Sequence, residues 1–239
     1  NELLYLSNVN NFLTMPAPFS IIIPTLNSEC ELSETLRSLF EGIENNLIRE
    51  LIISDGGSND KTKIIANEVG AIFIEGPFSR GLQISKAIDT SKGEWSLILH
   101  ADTNLSLNWS AKIMQKIDKN FAYHFKLKFK SKSAFARILE YWAQVRSNLL
   151  GLPYGDQGFL IHRDLLDTKE FPKIPIMEDV ALAGKFRGKI KSLDILAHTS
   201  AEKYHTNGWL AQSTINFFIL VQYLMGKDVH LLYKIYYKN

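Results

Sequence analysis

The segment FSIIIPTLN, residues 19–27, decides the fold. Phe19 to Ile23 is nearly unbroken apolar, and Pro24 ends it before the polar Thr25 and Asn27. A strand that lacks apolar–polar alternation is covered on both faces, the situation inside a parallel sheet flanked by helices. Its neighbours repeat the arrangement. Leu32, Leu36, Leu39, Phe40 and Ile43 follow at helical spacing, behind an S-x-x-E capping box of Ser28 and Glu31. A second strand, Leu51-Ile52-Ile53, runs into the turn Ser54-Asp55-Gly56-Gly57-Ser58. A helix over 59–69, a strand over 71–74, a helix over 81–91 and a strand over 95–99 complete the run. This alternation predicts an α/β fold with a largely parallel central sheet flanked by helices.

Beyond Asp102 the rhythm changes. Trp109, Ile113 and Ile117 mark another helix, and 121–130 alternates as a strand. Phe121, Tyr123, Phe125, Leu127 and Phe129 share one face there, leaving His124, Lys126, Lys128 and Lys130 on the other. Lys126, Lys128, Lys130 and Lys132 read as a solvated stripe guarding a sheet edge, or less readily as a contact for phosphate or anionic lipid. A helix over 135–149 and a glycine-rich loop over 151–158 follow. The expected layout is one domain over 16–239. Its first half, 19–103, has a nucleotide-binding layout, its second, 104–205, supplies the partner site, and a C-terminal helical segment covers 206–239.

The 239 residues carry 27 basic and 25 acidic side chains, a formal charge of +2 that gives no ground for a nucleic-acid binder. A single cysteine, Cys30, excludes an internal disulfide framework and a Cys-only zinc site. The apolar run from Ile215 to Met225 is far short of the ~20 residues that span a bilayer, and the start of the chain has no basic n-region or cleavage site. These features suit a cytoplasmic protein, with Met15 available as a start codon and the first fourteen residues as an extension. G-x-G-x-x-G after the first strand, G-x-x-x-x-G-K-[ST] and G-x-S-x-G are all absent, which disfavours dinucleotide enzymes, P-loop NTPases and α/β-hydrolases.

Polar residues cluster instead at the carboxyl ends of the strands, where open α/β sheets bind ligands. Pro24, Thr25 and Asn27 follow the first strand, and Asp55, Gly57 and Ser58 the second. His100, Ala101 and Asp102 follow the fourth, with His100 and Asp102 on one face as candidate ligands for Mg²⁺ or Mn²⁺. Tyr154, Gly155, Asp156 and Gln157 lie in a segment too polar for a core. Glu178 and Asp179 open a helix, where one carboxylate would be a general base. Each segment alone reads equally well as a turn, a surface loop or a helix cap.

Taken in order, IIIPTLN (21–27), SDGGSND (54–60), LHADT (99–103) and MED (177–179) resemble glycosyltransferase family 2, whose fold is GT-A. GLQISKA (81–87), PYGDQG (153–158) and IPIMEDV (174–180) extend the likeness to a group of small bacterial members, over about 19–200. The resemblance implies an inverting transfer from a nucleotide sugar, UDP favoured, to an acceptor hydroxyl. It places Thr25 and Asp55 on the nucleotide, with Asp55 accepting from a uracil imide, and Arg80 and Gly81 near the phosphates. Asp102 corresponds to the last acid of the metal-binding D-x-D motif, and Asp179, beside Glu178, to the catalytic base. Tyr154, Asp156 and Gln157 would border the sugar and acceptor cavity. Two departures stand out: Gly56 replaces an acid in the turn after the second strand, and His100 replaces the first acid of D-x-D. Imidazole serves Mn²⁺ better than Mg²⁺.

Two other functions compete. A sugar-phosphate nucleotidyltransferase requires a glycine-rich loop with Arg and Lys after the first strand, which 25–28 lacks. A non-catalytic sugar-nucleotide subunit is disfavoured by the joint presence of Asp55, Asp102 and Asp179. His198 and His205 have no metal-binding context, although a late histidine as an extra metal ligand keeps His198 in view. The apolar 209–225 and the aromatic, lysine-bearing 231–238 suit core packing or a homodimer interface first, and peripheral contact at the inner face of the membrane second.

Overall fold

In a computed structural model, which describes residues 17–166 and 171–238, the apolar run becomes β1 (Phe19–Thr25) in the interior of an eight-stranded sheet. The proposed extension over 1–14, Met15 and the domain's first residue, Pro16, lie outside the described residues. Phe19, Ile21, Ile22 and Ile23 have no solvent exposure. Successive side chains point to opposite faces, so Ile21 and Ile23 join one core layer and Ile22 another.

The chain continues through α1 (Leu32–Ser38), α2 (Phe40–Glu44), β2 (Ile48–Asp55), α3 (Thr62–Glu68), β3 (Ile72–Glu75), α4 (Arg80–Thr90) and β4 (Trp95–Ile98). Leu32 and Leu36 of α1 cover the Ile21 face, and Ile84, Ala87 and Ile88 of α4 cover the Ile22 face. The second half adds β5 (Asn104–Leu105), α5 (Trp109–Met114), β6 (Ala122–Phe129), α6 (Ala134–Val145), β7 (Phe159–His162), α7 (Glu178–Lys185) and β8 (Ile190–Thr199). Three further helices follow: α8 (Glu202–Asn207), α9 (Trp209–Leu224) and α10 (Val229–Lys238).

The strand order is β3-β2-β1-β4-β7-β6-β8-β5. The first four are mutually parallel, β7 runs antiparallel to both β4 and β6, β6 and β8 are parallel, and β5 returns antiparallel on β8. This is a curled mixed α/β sheet, parallel over β1 to β4. The chain reverses strand order between β1 and β4, which is the switch point where such sheets bind ligands.

Three local expectations are corrected. Ser28 and Glu31 form no capping box: α1 starts at Leu32 with no side-chain cap. The polar groups of 28–29 are taken by the neighbouring loop instead, with Ser28 N–H donating to Thr62 Oγ1 (2.9 Å) and Glu29 N–H to Asp60 Oδ2 (2.9 Å). The lysine stripe does not guard an edge, because β6 lies between β7 and β8. Lys126, Lys128 and Lys130 pair with Asp194, Glu140 and Glu34 at 2.8, 3.2 and 2.8 Å. His124 is buried rather than solvated, with Nδ1 on Phe125 O at 3.0 Å.

The C-terminal helices close one end of the sheet. Tyr204 and Trp209 stack on each other, with ring centroids 5.0 Å apart, and both meet Phe129 edge-on. Ile219 of α9 and Leu232 of α10 are fully buried together with Ile176. Among the described residues, no helix is long and apolar enough to cross a membrane.

Candidate active site

A cavity of about 430 Å³ opens at the carboxyl ends of β1 and β4, within the range of small-molecule sites. Pro24, Thr25, Asn27, Arg80, His100, Ala101, Asp102, Tyr154, Gly155, Asp156 and Asp179 all line it. Segments that are far apart in sequence and individually ambiguous therefore converge on one space.

Asp55, Gly57, Ser58, Gly81, Gln157 and Glu178 are not on that lining. Asp55 is buried, and its carboxylate accepts four hydrogen bonds from its own surroundings. Oδ1 takes Thr25 Oγ1 (2.8 Å) and Ser58 Oγ (2.6 Å), while Oδ2 takes the N–H groups of Gly57 (2.9 Å) and Ser58 (2.7 Å). A carboxylate offers about four acceptor positions, so Asp55 holds the loop from within. Gly57 has φ +97°, a conformation glycine adopts without strain. The Gln83 amide ties the same two strand ends, donating to Thr25 O (2.9 Å) and Ser54 O (2.7 Å). Asn27 latches across: its N–H meets Ser58 Oγ at 2.7 Å and its Oδ1 accepts from Asn59 N–H at 2.9 Å.

Gly81 is packed under the 172–174 segment. Its N–H donates to Ile174 O (3.2 Å), and a Cβ there would lie 2.2 Å from Pro172 O. The space beside the Gly81 Cα and its N–H are thus taken up by the chain itself. Arg80, one residue earlier, does face the cavity, with Nε 3.5 Å from Glu178 Oε1. Burial works against its charge, yet Glu178, Tyr237 and Asp179 outweigh that and hold its pKa above the ordinary value. Burial also pushes Glu178 up to about 7, partly offset by Arg80.

His100 and Asp102 lie together on the wall. Burial, then Arg80 and Lys203, hold His100 well below its ordinary pKa, so its imidazole is neutral. His100 Nε2 abuts Gly155, where a Cβ would come within 2.4 Å. Among the described residues no three His, Cys, Asp or Glu side chains gather into a metal site. One carboxylate and one neutral imidazole do not form a protein cage. They do fit a divalent cation that takes its remaining ligands from a bound diphosphate and water, as Mg²⁺ commonly does. His198 is off the lining, paired across β5 with Asn104.

The 153–158 loop is fixed from behind by Gln157. This fully buried amide accepts from Ser147 Oγ (2.8 Å), Arg146 Nη2 (3.1 Å) and Tyr154 N–H (3.2 Å), and donates to Phe125 O (3.2 Å). Gln157 therefore does not border the cavity as the resemblance implied; all its polar capacity is used inside. Arg146 lies 3.4 Å above the Tyr154 ring. Burial pushes the Tyr154 hydroxyl up to about 12, so it stays protonated. Asp156 does face the cavity, and burial raises its carboxyl to about 6, with Arg146 opposing and Asp179 and Asp102 adding to the rise.

Asp179 sits in the first turn of α7. Its Oδ1 accepts from Val180 N–H and its Oδ2 from Gly155 N–H, both at 2.7 Å. Each oxygen keeps a second lone pair. Met177, just before the helix, has φ +63°, an uncommon conformation for a residue with a side chain and one that gathers at functional sites.

Much of the remaining wall was not read from the sequence. Lys203 of α8 and Tyr236 and Tyr237 of α10 line the cavity, with Phe78 beside them. Phe78 meets Tyr237 edge-on at 5.4 Å and Tyr233 at 5.9 Å. Burial lowers Lys203, Arg80 lowers it further, and Asp102 works in the opposite direction. The alternation of aromatic residues and lysine in 231–238, taken as packing or a membrane anchor, was the available signal.

Comparison with known proteins gives concordant results. A profile described as "Glycosyl transferase family 2" matches residues 20–152, more than half of the chain. A PGL/p-HBAD biosynthesis glycosyltransferase of Mycobacterium bovis is 37% identical over 99 residues, covering 38% of this chain and 38% of the relative, so well under half of that protein's length is matched. Among solved structures, glucosyl-3-phosphoglycerate synthase from Mycobacterium tuberculosis, in complex with Mn²⁺, UDP and phosphoglyceric acid, superposes with a TM-score of 0.54. It shares 18% identity over 77% of this chain and 69% of the other. S. aureus TarS 1–349 in complex with UDP-GlcNAc also gives 0.54, at 18% identity over 76% and 58%. At these identities the two structures speak to the fold.

Proposed function

The chain belongs to glycosyl transferase family 2, and from that premise we propose that it is a glycosyltransferase that moves a sugar from a nucleoside diphosphate, UDP favoured, to an acceptor hydroxyl with inversion. The observation that carries the reading is the arrival of Asp102, from the end of β4, and Asp179, from the start of α7, in one cavity at the switch point of the sheet. Thr25, Asn27 and Asp102 would receive the nucleotide end, with Asp55 stiffening the loop beneath it. Arg80 and Lys203 are the cations on that wall that would face the diphosphate.

Asp179 would take the proton of the acceptor hydroxyl as its oxygen attacks the anomeric carbon. The bond from that carbon to the diphosphate oxygen breaks as the new one forms, and its electron pair leaves with the nucleotide. The Gly155 and Val180 amides hold the carboxylate in place, which is the protein's contribution to orientation. A divalent cation at Asp102, with His100 beside it, would offset charge on the departing diphosphate. Arg80 and Lys203 would add to the same effect through charge already fixed in the wall.

The test is transfer, or donor hydrolysis, by wild type and Asp179→Asn over a panel of nucleotide sugars, with NMR of the product anomer. General-base catalysis contributes about 10²–10⁴ in rate, and a loss of that size with retained donor binding is expected. Retained anomeric configuration, or full activity of Asp179→Asn, would sink the mechanism.

A further inference from the structure

α6 presents an apolar face that the fold leaves open. Its inner side packs on the domain: Ala136 and Ala143 are buried, and Leu139 joins them in a cluster with Leu127 and Phe129 of β6. The helix runs on through one π-helical turn, Arg146–Leu150, and Gly151 ends it at φ +64°. Residues three, four and seven apart share a helical face. Phe135, Ile138, Trp142 and Leu149 are so spaced, with Tyr141 and Leu150 beside them, and these six side chains are between 46% and 78% exposed. Buried and exposed apolar positions therefore lie on opposite sides of one helix. A helix that is apolar all round belongs under cover, and an exposed apolar patch with a polar rim marks contact with another protein or with a membrane.

The charge around the face decides between those occupants. From 128 to 152 there are five basic residues and one acid, a local excess larger than the +2 of the whole chain. That acid, Glu140, is turned inward. Its carboxylate accepts from Phe129 N–H at 2.8 Å and is shared by Arg137 (2.8 Å) and Lys128 (3.2 Å), with a side chain only 11% exposed. Lys132 stands exposed just ahead of the helix. A second copy docked two-fold on this face would set the same patch against itself, basic groups against basic groups. An anionic lipid surface matches both parts of the pattern. Apolar side chains enter the boundary beneath the headgroups, Tyr141 and Trp142 seat at headgroup level, and the cations face the phosphates. The C-terminal segment, where sequence alone placed such contact, commits Ile219 and Leu232 to the interior and Asn216, Tyr236 and Tyr237 to the cavity wall.

We propose that the outer face of α6 docks the chain on an anionic lipid surface, with Phe135, Ile138, Trp142 and Leu149 in the apolar boundary and Lys132 at the phosphates. The face lies off the cavity lining, so the proposal stands apart from the glycosyl-transfer reading. The test is sedimentation of the full chain with vesicles of phosphatidylcholine alone and of phosphatidylcholine and phosphatidylglycerol in equal parts, at low and high salt. Wild type should bind the mixed vesicles more tightly, and less so at high salt. Ile138→Ser combined with Trp142→Ser should weaken that binding about tenfold or more, the effect of withdrawing two apolar side chains from the lipid. Lys132→Gln should weaken it about fivefold, the share of one charge near an anionic surface, and leave phosphatidylcholine alone unaffected. All three positions are exposed, so an unchanged Tm reports an intact fold. Phe217→Ser in α9, also exposed, should bind as wild type does. No association of wild type with the mixed vesicles would overturn the proposal. So would equal binding to both vesicle types, or a loss in Phe217→Ser as large as that in the α6 variant. A wild-type dimer in sedimentation velocity that the α6 substitutions disperse would give the face to a second copy, and that too would overturn it.

Discussion

Gln157→Leu should unfold the protein at a lower temperature and impair catalysis only as a consequence. Leucine has about the right volume but no polar atoms. Ser147 Oγ turns its single proton to Ala143 O, 2.7 Å away, and is not stranded. The Tyr154 N–H and one N–H of Arg146 lose their acceptor, and Phe125 O loses a donor. Arg146 is only 6% exposed, so water does not readily replace the lost partner. Two or three buried groups at about 1–3 kcal/mol each come to about 4 kcal/mol. For a chain of this size that is a fall of about 8–16 °C in Tm, measured by circular dichroism. A Tm within about 2 °C of wild type, accompanied by loss of donor binding, would refute the reasoning and return Gln157 to the substrate side of the loop.

Glu178 should make stability fall with rising pH. Its carboxyl titrates at about 7 when folded, against an ordinary 4.5, so the folded chain holds a proton that the unfolded chain has lost between those values. Stability from this group is full below 4.5 and declines as pH rises toward 7; Glu178→Gln should flatten that limb of a Tm-against-pH curve, and an unchanged slope would contradict it. Gly81→Ala drives a methyl to 2.2 Å from Pro172 O and 2.6 Å from Ile174 O. Backbone atoms do not yield as side chains do, so about 1–3 kcal/mol should be lost, seen as a lower midpoint in urea at unchanged slope. Lys203→Met should weaken UDP by about tenfold, the effect of removing about 1.4 kcal/mol of a charge-assisted contact, and leave uridine binding alone; equal loss for both would place Lys203 away from the diphosphate.

The first half of the fold was legible because its strands are covered on both faces. Ile21 to Ile23 and Ile52 to Ile53 leave no alternative to a buried strand, and Leu32, Leu36, Ile84 and Ile88 mark the helical faces that cover them. The second half showed β6 but hid β7 and β8, for two reasons. Phe159 to His162 of β7 is a four-residue run directly behind a glycine loop, short enough to merge with it. In β8, exposed and partly buried residues such as Lys191, Ser192 and Asp194 interrupt the apolar positions, and its burial comes from β6 alongside it rather than from its own composition. The error over the lysine stripe has the same origin: whether β6 is an edge depends on a strand more than sixty residues later.

The site shows the same division at the level of single residues. Motif order groups Asp102, Tyr154, Asp156 and Asp179, and all four line one cavity. It did not separate residues that face the cavity from those that hold the facing residues. Asp55 and Gln157 are polar and flanked by glycines, which reads as a binding loop, yet both have their hydrogen-bonding capacity filled from within. Asp156 lies one residue from Gln157 and has the opposite balance: among the described residues its Oδ1 has no donor. Sequence supplies the groups; only the count of satisfied donors and acceptors shows which are spoken for. By that count Asp55 and Gln157 should respond to substitution in stability.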